Sequence, residues 1–393
     1  MTSQMISILR CPMTKSPLRR ATQEELRSAK SKHHADGTPT SANLERGLVS
    51  EDGVYLYPVE QGIAILLPNL AIVLDETKGR RYSQGNEQLS VQRFYDELGW
   101  TKQDEGSAFV DAERWEDLRP VSQEYTHRCH LRVSRYLKPK GTFFLDVASG
   151  PVQYPEYLTY SRDYDHRICV DISLAALKEA RNRVGDRGVY LLADITNLPL
   201  MDDVIDAVVS LHTIYHVAAE EQASAFCEVH RVLRPGCSAV AVYSWGENSP
   251  LMRAAFLRQR LKQRLWNLAR RAKHLVWRTQ ASSSAEPRLY YHAHNYDWFV
   301  RQPWPFEYAV HTWRSVSVPF LRSYVHQGLF GRQVLDSLYR LEEKHSAMLG
   351  RLGQYPLIHI QKQVAAPLNP SRAATNRVIE RSTDETAPPC QCS

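Results

Sequence analysis

Three aspartates, Asp146, Asp171 and Asp194, each close a short apolar run ("FFLD", "ICVD", "YLLAD") and follow one another at intervals of 25 and 23 residues. That interval is about one strand, one helix and their turns. Three successive strands would therefore gather the carboxylates along one edge of a sheet. Acids in that position either cap the next helix or accept hydrogen bonds from a ligand. Asp171, after the second run, suits the two hydroxyls of a ribose. Asp194, followed by Ile195, suits an adenine amino group with an apolar residue against the ring. Asp146 opens onto a small-residue turn, Ala148-Ser149-Gly150, with Val152 beyond it.

That turn is poor in glycine. A dinucleotide needs a glycine-rich backbone because its pyrophosphate must approach helix N–H groups closely, so a nicotinamide dehydrogenase is disfavoured. S-adenosyl-L-methionine carries a sulfonium and an ammonium and no phosphate. An acid-lined turn with one indispensable small position suits it, with Val152 narrowing the loop. In "SLHTIYHV", His212 and His216 follow a fourth strand, at the mouth where a methyl acceptor would sit. Either could be a general base, since imidazole titrates near neutrality. The alternative is that one caps a helix and the other packs, with Tyr215 as a wall of the pocket.

The elements that must position these residues alternate. Strands are expected at 142–145, 167–171, 189–194, 206–211 and 238–245, with helices at 173–184 and 219–233 and a turn at Arg234-Pro235-Gly236. Short apolar strands separated by amphipathic helices predict a parallel sheet covered on both faces. Upstream, "NEQLSVQRFYDELGW" and "VSQEYTHRCHLRVSRYL" have helical spacing; their Tyr95, Tyr125 and Arg128 either fold over the cofactor or simply pack. Residues 1–75 read as a β-rich unit, with "MISILRCP" as one strand and "GVYLYPVEQGIAILLP" as a hairpin turning near Gly62. His33-His34 falls in a polar loop and reads as solvated. Downstream come a strand "FEYAVHTWRSVSV", a helix "GRQVLDSLYRLEEKHSAML" and a strand "YPLIHIQK".

Composition narrows the class. The chain of 393 residues is 43% hydrophobic and 23% charged, with a formal charge of +6. No run of about 18 uncharged apolar residues reads as a membrane span. The opening residues lack the pattern of a secretory signal. Seven cysteines without framework spacing fit reduced thiols, so a cytoplasmic location is expected. Cys11 has no CxxC partner, and no metal site is expected. Residues 248–285 hold nine Lys/Arg and no Asp/Glu. This predicted basic helix, with Leu257, Leu261, Leu265, Leu268, Ala272 and Leu275 on one side, has several readings. Through 250–278 it could meet an anionic membrane surface, an acidic substrate or RNA, or be a solvated helix packing by its leucines. Against nucleic acid, no RNA-binding module is present.

The motifs "FLDVASG", "ICVDIS", "LLADITNLPLMDDVIDAVVSLHTIYHV" and "EVHRVLRPG" resemble, in order and spacing, class I S-adenosylmethionine-dependent methyltransferases of the small-molecule type. The resemblance covers roughly residues 140–245. It implies an α/β, Rossmann-like seven-strand core whose last pair is antiparallel. It also implies S-adenosyl-L-methionine as cofactor, bound by Asp146, Ala148, Ser149, Gly150, Asp171, Ile172, Asp194, Ile195 and Leu211, and a small or medium-sized acceptor. "LRCPMTKSPLR" with "YLYPVEQGIAILL" is similar to a small zinc-ribbon-like activator domain, with Thr14 where zinc-bearing versions have a second cysteine. The expected organisation is a metal-free β-rich domain at 1–75, the cofactor-binding core at 76–248, a basic helical insertion or lid at 249–305, the rest of the core at 306–363 and a disordered tail at 364–393. Two rivals to a small-molecule methyltransferase are an RNA methyltransferase and a non-catalytic scaffold with a degenerate cofactor loop.

Overall fold

The computed structural model describes residues 1–41, 43–102, 104, 108–257 and 289–364. The arginines of the basic segment (Arg258, Arg260, Arg264), nearly all of its leucine stripe and the tail from 365 lie outside the described residues.

The fold is α/β with a mixed central sheet. Five strands run parallel: β6 (Gly141–Val147), β7 (Tyr164–Asp171), β8 (Gly188–Leu192), β9 (Ile205–Leu211) and β10 (Leu233–Val242). Their order is β8-β7-β6-β9-β10. The chain thus winds outward in one direction from β6 to β8 and in the other from β9 to β10. The switch point is the crevice between β6 and β9, where open sheets bind ligands. Beyond β10 lie β12 (Tyr355–Gln361) and the outermost β11 (Glu307–Arg314), both paired antiparallel.

Neighbouring residues on each strand enter opposite cores. Phe143, Leu145 and Val147 pack on one face of β6 and Phe144 on the other; Ala207 and Val209 face away from Val208 on β9. This two-sided burial is why these strands read as unbroken apolar runs. The helix Leu174–Val184 starts where the Ser173 hydroxyl caps the Ala176 amide at 3.1 Å and ends at Gly185, whose φ is +70°. It covers the sheet with Leu177 and Ala180.

The sheet does not stop at β8. The N-terminal unit comprises β1 (Leu18–Arg20), β2 (Gly47–Ser50), β3 (Tyr55–Glu60), β4 (Ile63–Ile65) and β5 (Ile72–Val73). β3 and β4 form the expected hairpin, with Gln61 and Gly62 both left-handed. β4 then runs parallel to β8, pairing Ile63 with Tyr190 and Ile65 with Leu192, so one sheet runs through both units.

Two local expectations fail. "MISILRCP" is not a strand: Thr2 caps a short helix, Ser3–Ile6, and only isolated bridges follow, Leu9 to Leu200 and Arg10 to Pro17. His34 is not merely solvated, since its Nδ1 lies 2.8 Å from the Leu70 carbonyl. The Cys11 sulfur accepts the Thr14 amide at 3.3 Å and lies 3.1 Å from the Tyr57 hydroxyl.

Candidate functional site

A cavity of 820 Å³ opens over the switch point, and its wall contains the nine candidate cofactor-binding residues and the two candidate catalytic histidines, eleven in all. Its two ends differ in construction.

The first end is the run after β6. Ala148, Gly150 and Val152 have φ of +53°, +52° and +53°, so every second residue is left-handed. This is the conformation for which a glycine at each position would be free of strain. Only Gly150 is one. A side chain there would place Cβ 2.9 Å from the Trp100 indole, which lies on the loop. Val152 does not narrow the loop: it is fully buried in the core below, outside the cavity wall.

Asp171 accepts the Gly150 amide at 2.8 Å and the Ser173 amide at 2.9 Å, which ties the loop to the next helix. Burial nevertheless raises its pKa to about 7, the two amides opposing the rise. Asp194 accepts the Thr196 amide at 2.8 Å and the Gln88 side-chain amide at 2.9 Å, and burial raises its pKa as well. Ile172, Ile195 and Leu211 supply apolar wall. Asp146 is different. Its carboxylate is hydrogen-bonded to the Arg167 guanidinium, and both side chains are buried. Arg167 was missed in the sequence, although a lone arginine inside "HRICVD" is a signal that a buried acid lies beside it.

A helix Asn86–Phe94, continued by a wider turn Tyr95–Gly99, closes over this end. It brings Gln88, Tyr95 and Trp100 to the wall, with Tyr95 stacked on Trp100 at 4.9 Å. Asp96 accepts the Ser173 hydroxyl at 2.6 Å and so pins this cover to the helix after β7. Tyr125 and Arg128 prove to be packing residues, bonded to Glu342 (2.7 Å) and Asp336 (2.8 Å).

The second end lies over β9, β10 and β12. His212, with φ +60°, packs its ring edge-on against Trp313 at 4.4 Å. Burial and the nearby Arg314 push its pKa well below the usual imidazole value. His216 places Nδ1 2.7 Å from the Tyr290 carbonyl, so that nitrogen carries the proton and Nε2 keeps its lone pair. Burial lowers its pKa to about 4, the carbonyl opposing. Arg314 is 1% exposed, bonds Glu116 at 2.6 Å and leaves Nε unpartnered. Glu116, His130, Arg314, Gln354 and Tyr355 line the wall, and none was anticipated. Met252, Phe256, Leu289 and Tyr291, from the stretch between β10 and β11, line it as well.

The N-terminal unit grips the loop after β8. The Arg10 amide donates to the Pro199 carbonyl (3.1 Å), the Met201 amide to Ile8 (2.8 Å) and the Asn197 side chain to Pro12 (3.1 Å). Arg10 also pairs with Asp202 at 3.3 Å. The short helix Ile195–Asn197, which Asp194 caps, is therefore braced from outside the core.

Residues 145–241 match the model of the methyltransferase domain family, from within β6 to within β10. S-adenosyl-L-methionine is the methyl donor of that domain. No curated protein matches the chain. Among solved structures, the chain is similar to geranyl diphosphate C-methyltransferase from Streptomyces coelicolor at 14% identity, covering 71% of this chain and 98% of that one, with a TM-score of 0.40. It is similar to a Haloferax volcanii complex of a methyltransferase activator with a methyltransferase at 13% identity, covering 62% and 92%, with a TM-score of 0.39. A third likeness is to Haemonchus contortus phosphoethanolamine N-methyltransferase 1, at 10% identity and a TM-score of 0.43, covering 72% of this chain and half of that one.

Proposed function

We propose that the chain transfers the methyl group of S-adenosyl-L-methionine to a small or medium-sized acceptor. The observation that carries this reading is one continuous cavity whose first end collects the termini of β6, β7 and β8 and whose second end is walled by His212, His216 and Arg314. The cavity's volume is in the range that takes a cofactor-sized ligand. The left-handed run at 148–152, the buried carboxylate of Asp171 and the half-buried one of Asp194 fit an adenosine without phosphate. When bound, the cofactor supplies an electrophilic methyl on sulfur.

The chain's own residues then have these tasks. Asp171 accepts the ribose hydroxyls, and Asp194 with Ile195 holds the adenine. Ala148, Ser149 and Gly150 shape the floor, and Leu211 and Ile172 exclude water. His216, neutral at physiological pH, offers Nε2 as a hydrogen-bond acceptor to the acceptor's proton, and His212 shapes the wall. With pKa values this low they are weak bases, so the rate comes mainly from in-line alignment of the acceptor. We assign residues 1–75 the role of a fused scaffold of the activator type, an assignment supported by the β4–β8 pairing and the grip on residues 195–202. A cytoplasmic setting belongs to the same proposal.

Calorimetric titration with S-adenosyl-L-methionine tests the reading. The wild-type chain should bind, and Asp171→Ala should lose binding. A wild-type chain that takes up no heat would sink it in favour of the scaffold reading.

A further inference from the structure

The methionine end of the cofactor carries an ammonium, and a buried cation needs a counter-charge. Asp146, the acid placed by the sequence beside the turn, already has one: Arg167 takes its carboxylate within the core. A second carboxylate faces the same stretch of cavity wall. Asp111 belongs to the short helix Val110–Trp115, which lies against the cover formed by residues 95–100. It lines the cavity together with Gly150, Gln153, Tyr95 and Trp100. Its polar partner among the described residues is the Gln153 side-chain amide, at a long 3.4 Å, three residues beyond Gly150. Burial raises its pKa to about 6, and among the described residues no cation beside it offsets the rise.

Resting on the methyltransferase reading, we infer that Asp111 is the counter-charge for the α-ammonium of S-adenosyl-L-methionine, the part the sequence pattern offers to Asp146. The surroundings agree. Tyr95, Trp100 and Tyr154 present aromatic groups to the same space, and aromatic faces attract cations. Gln153, whose side-chain oxygen is buried without a hydrogen-bond partner, carries the second dipole there. The inference also gives the helix Val110–Trp115 a task, that of bringing a charge to the loop from outside the parallel sheet.

The test compares three ligands on the wild-type chain and on Asp111→Asn by calorimetry. S-adenosyl-L-methionine and S-adenosylhomocysteine both carry the ammonium, whereas 5′-methylthioadenosine has the adenosine and the sulfur without it. Asp111→Asn should weaken the first two at least tenfold and leave 5′-methylthioadenosine within twofold, which also shows that the variant is folded. Equal losses on all three ligands, or none on any, would overturn the inference. A loss confined to S-adenosyl-L-methionine would overturn it too, by moving the pairing to the sulfonium. If the wild-type chain binds none of the three, the methyltransferase reading itself has failed, and this inference with it.

Discussion

The two ends of the cavity are built on different principles. At the first end, the loop and the carboxylates of Asp171 and Asp194 stand within three residues of the ends of β6, β7 and β8. Each is placed by its own strand, and backbone amides hold it. At the second end, Glu116 and Arg314 are 198 residues apart and meet as a buried pair. His130, His212 and Tyr355 are gathered around Trp313 from three more segments. A strand terminus can be preserved through many changes elsewhere. A wall made of distant residues depends on all of its parts, and it can change without disturbing the strand ends opposite.

The largest expected effect breaks the second end alone. Arg314→Met leaves Glu116 buried without its partner, which should cost about 3–5 kcal/mol of stability. The double variant Glu116→Gln/Arg314→Met should recover much of that, because the two residues are coupled. Denaturant titration measures both. Where the single variant remains folded, its affinity for S-adenosyl-L-methionine should stay within about threefold of wild type. An affinity loss as deep as that of Asp171→Ala would mean that the ends are not separable.

Smaller effects come from titration, and the ends should oppose each other. Asp171 titrates near 7 in the folded chain and near 4 unfolded, so between those values only the folded state holds the proton. Its contribution to stability therefore declines as pH rises from about 4 to about 7. His216 titrates near 4 folded and near 6.5 unfolded, so there only the unfolded state takes up the proton. Its contribution declines as pH falls from about 6.5 to about 4. Relative to wild type, Asp171→Asn should gain stability with rising pH and His216→Gln with falling pH, by up to about 1.4 kcal/mol per unit. Unfolding midpoints at three pH values decide it; parallel trends in the two variants would refute the opposition.

The smallest effect sharpens the picture of the loop. Ala148 sits at φ +53°, a conformation that costs a residue with a side chain about 1–2 kcal/mol. Ala148→Gly should relieve this against a higher chain entropy when unfolded, for a net gain of about 0.5–1 kcal/mol in thermal denaturation. A loss of stability would show that the methyl group is needed in the wall.

What was legible in the sequence follows the same division. The strands from β6 to β12 and the β3–β4 hairpin were readable because apolar runs, turn residues and helical spacing are local signals; the antiparallel pairing of β11 with β12 came from the family resemblance. The residues after strand ends came with them, and the structure brings all eleven to one cavity. Arg167, Asp111, Glu116, His130 and Arg314 were not readable as site residues. A charged side chain in a sequence looks solvated until something shows what is folded against it. "MISILRCP" misled for a related reason: its apolar residues are buried, but against the loop at 195–202 rather than in a ladder.

The sequence by itself determined where the chain turns from strand to helix, and so which edge of the sheet carries Asp146, Asp171 and Asp194. Period, capping and turn chemistry act over a few residues and need no partner. Only the tertiary structure decided which of those acids is spoken for. Arg167 neutralises Asp146 across two neighbouring strands, while Asp111 and Arg314 arrive from outside the parallel core. Charge pairing depends on distance in space, and distance in space is what the fold alone sets.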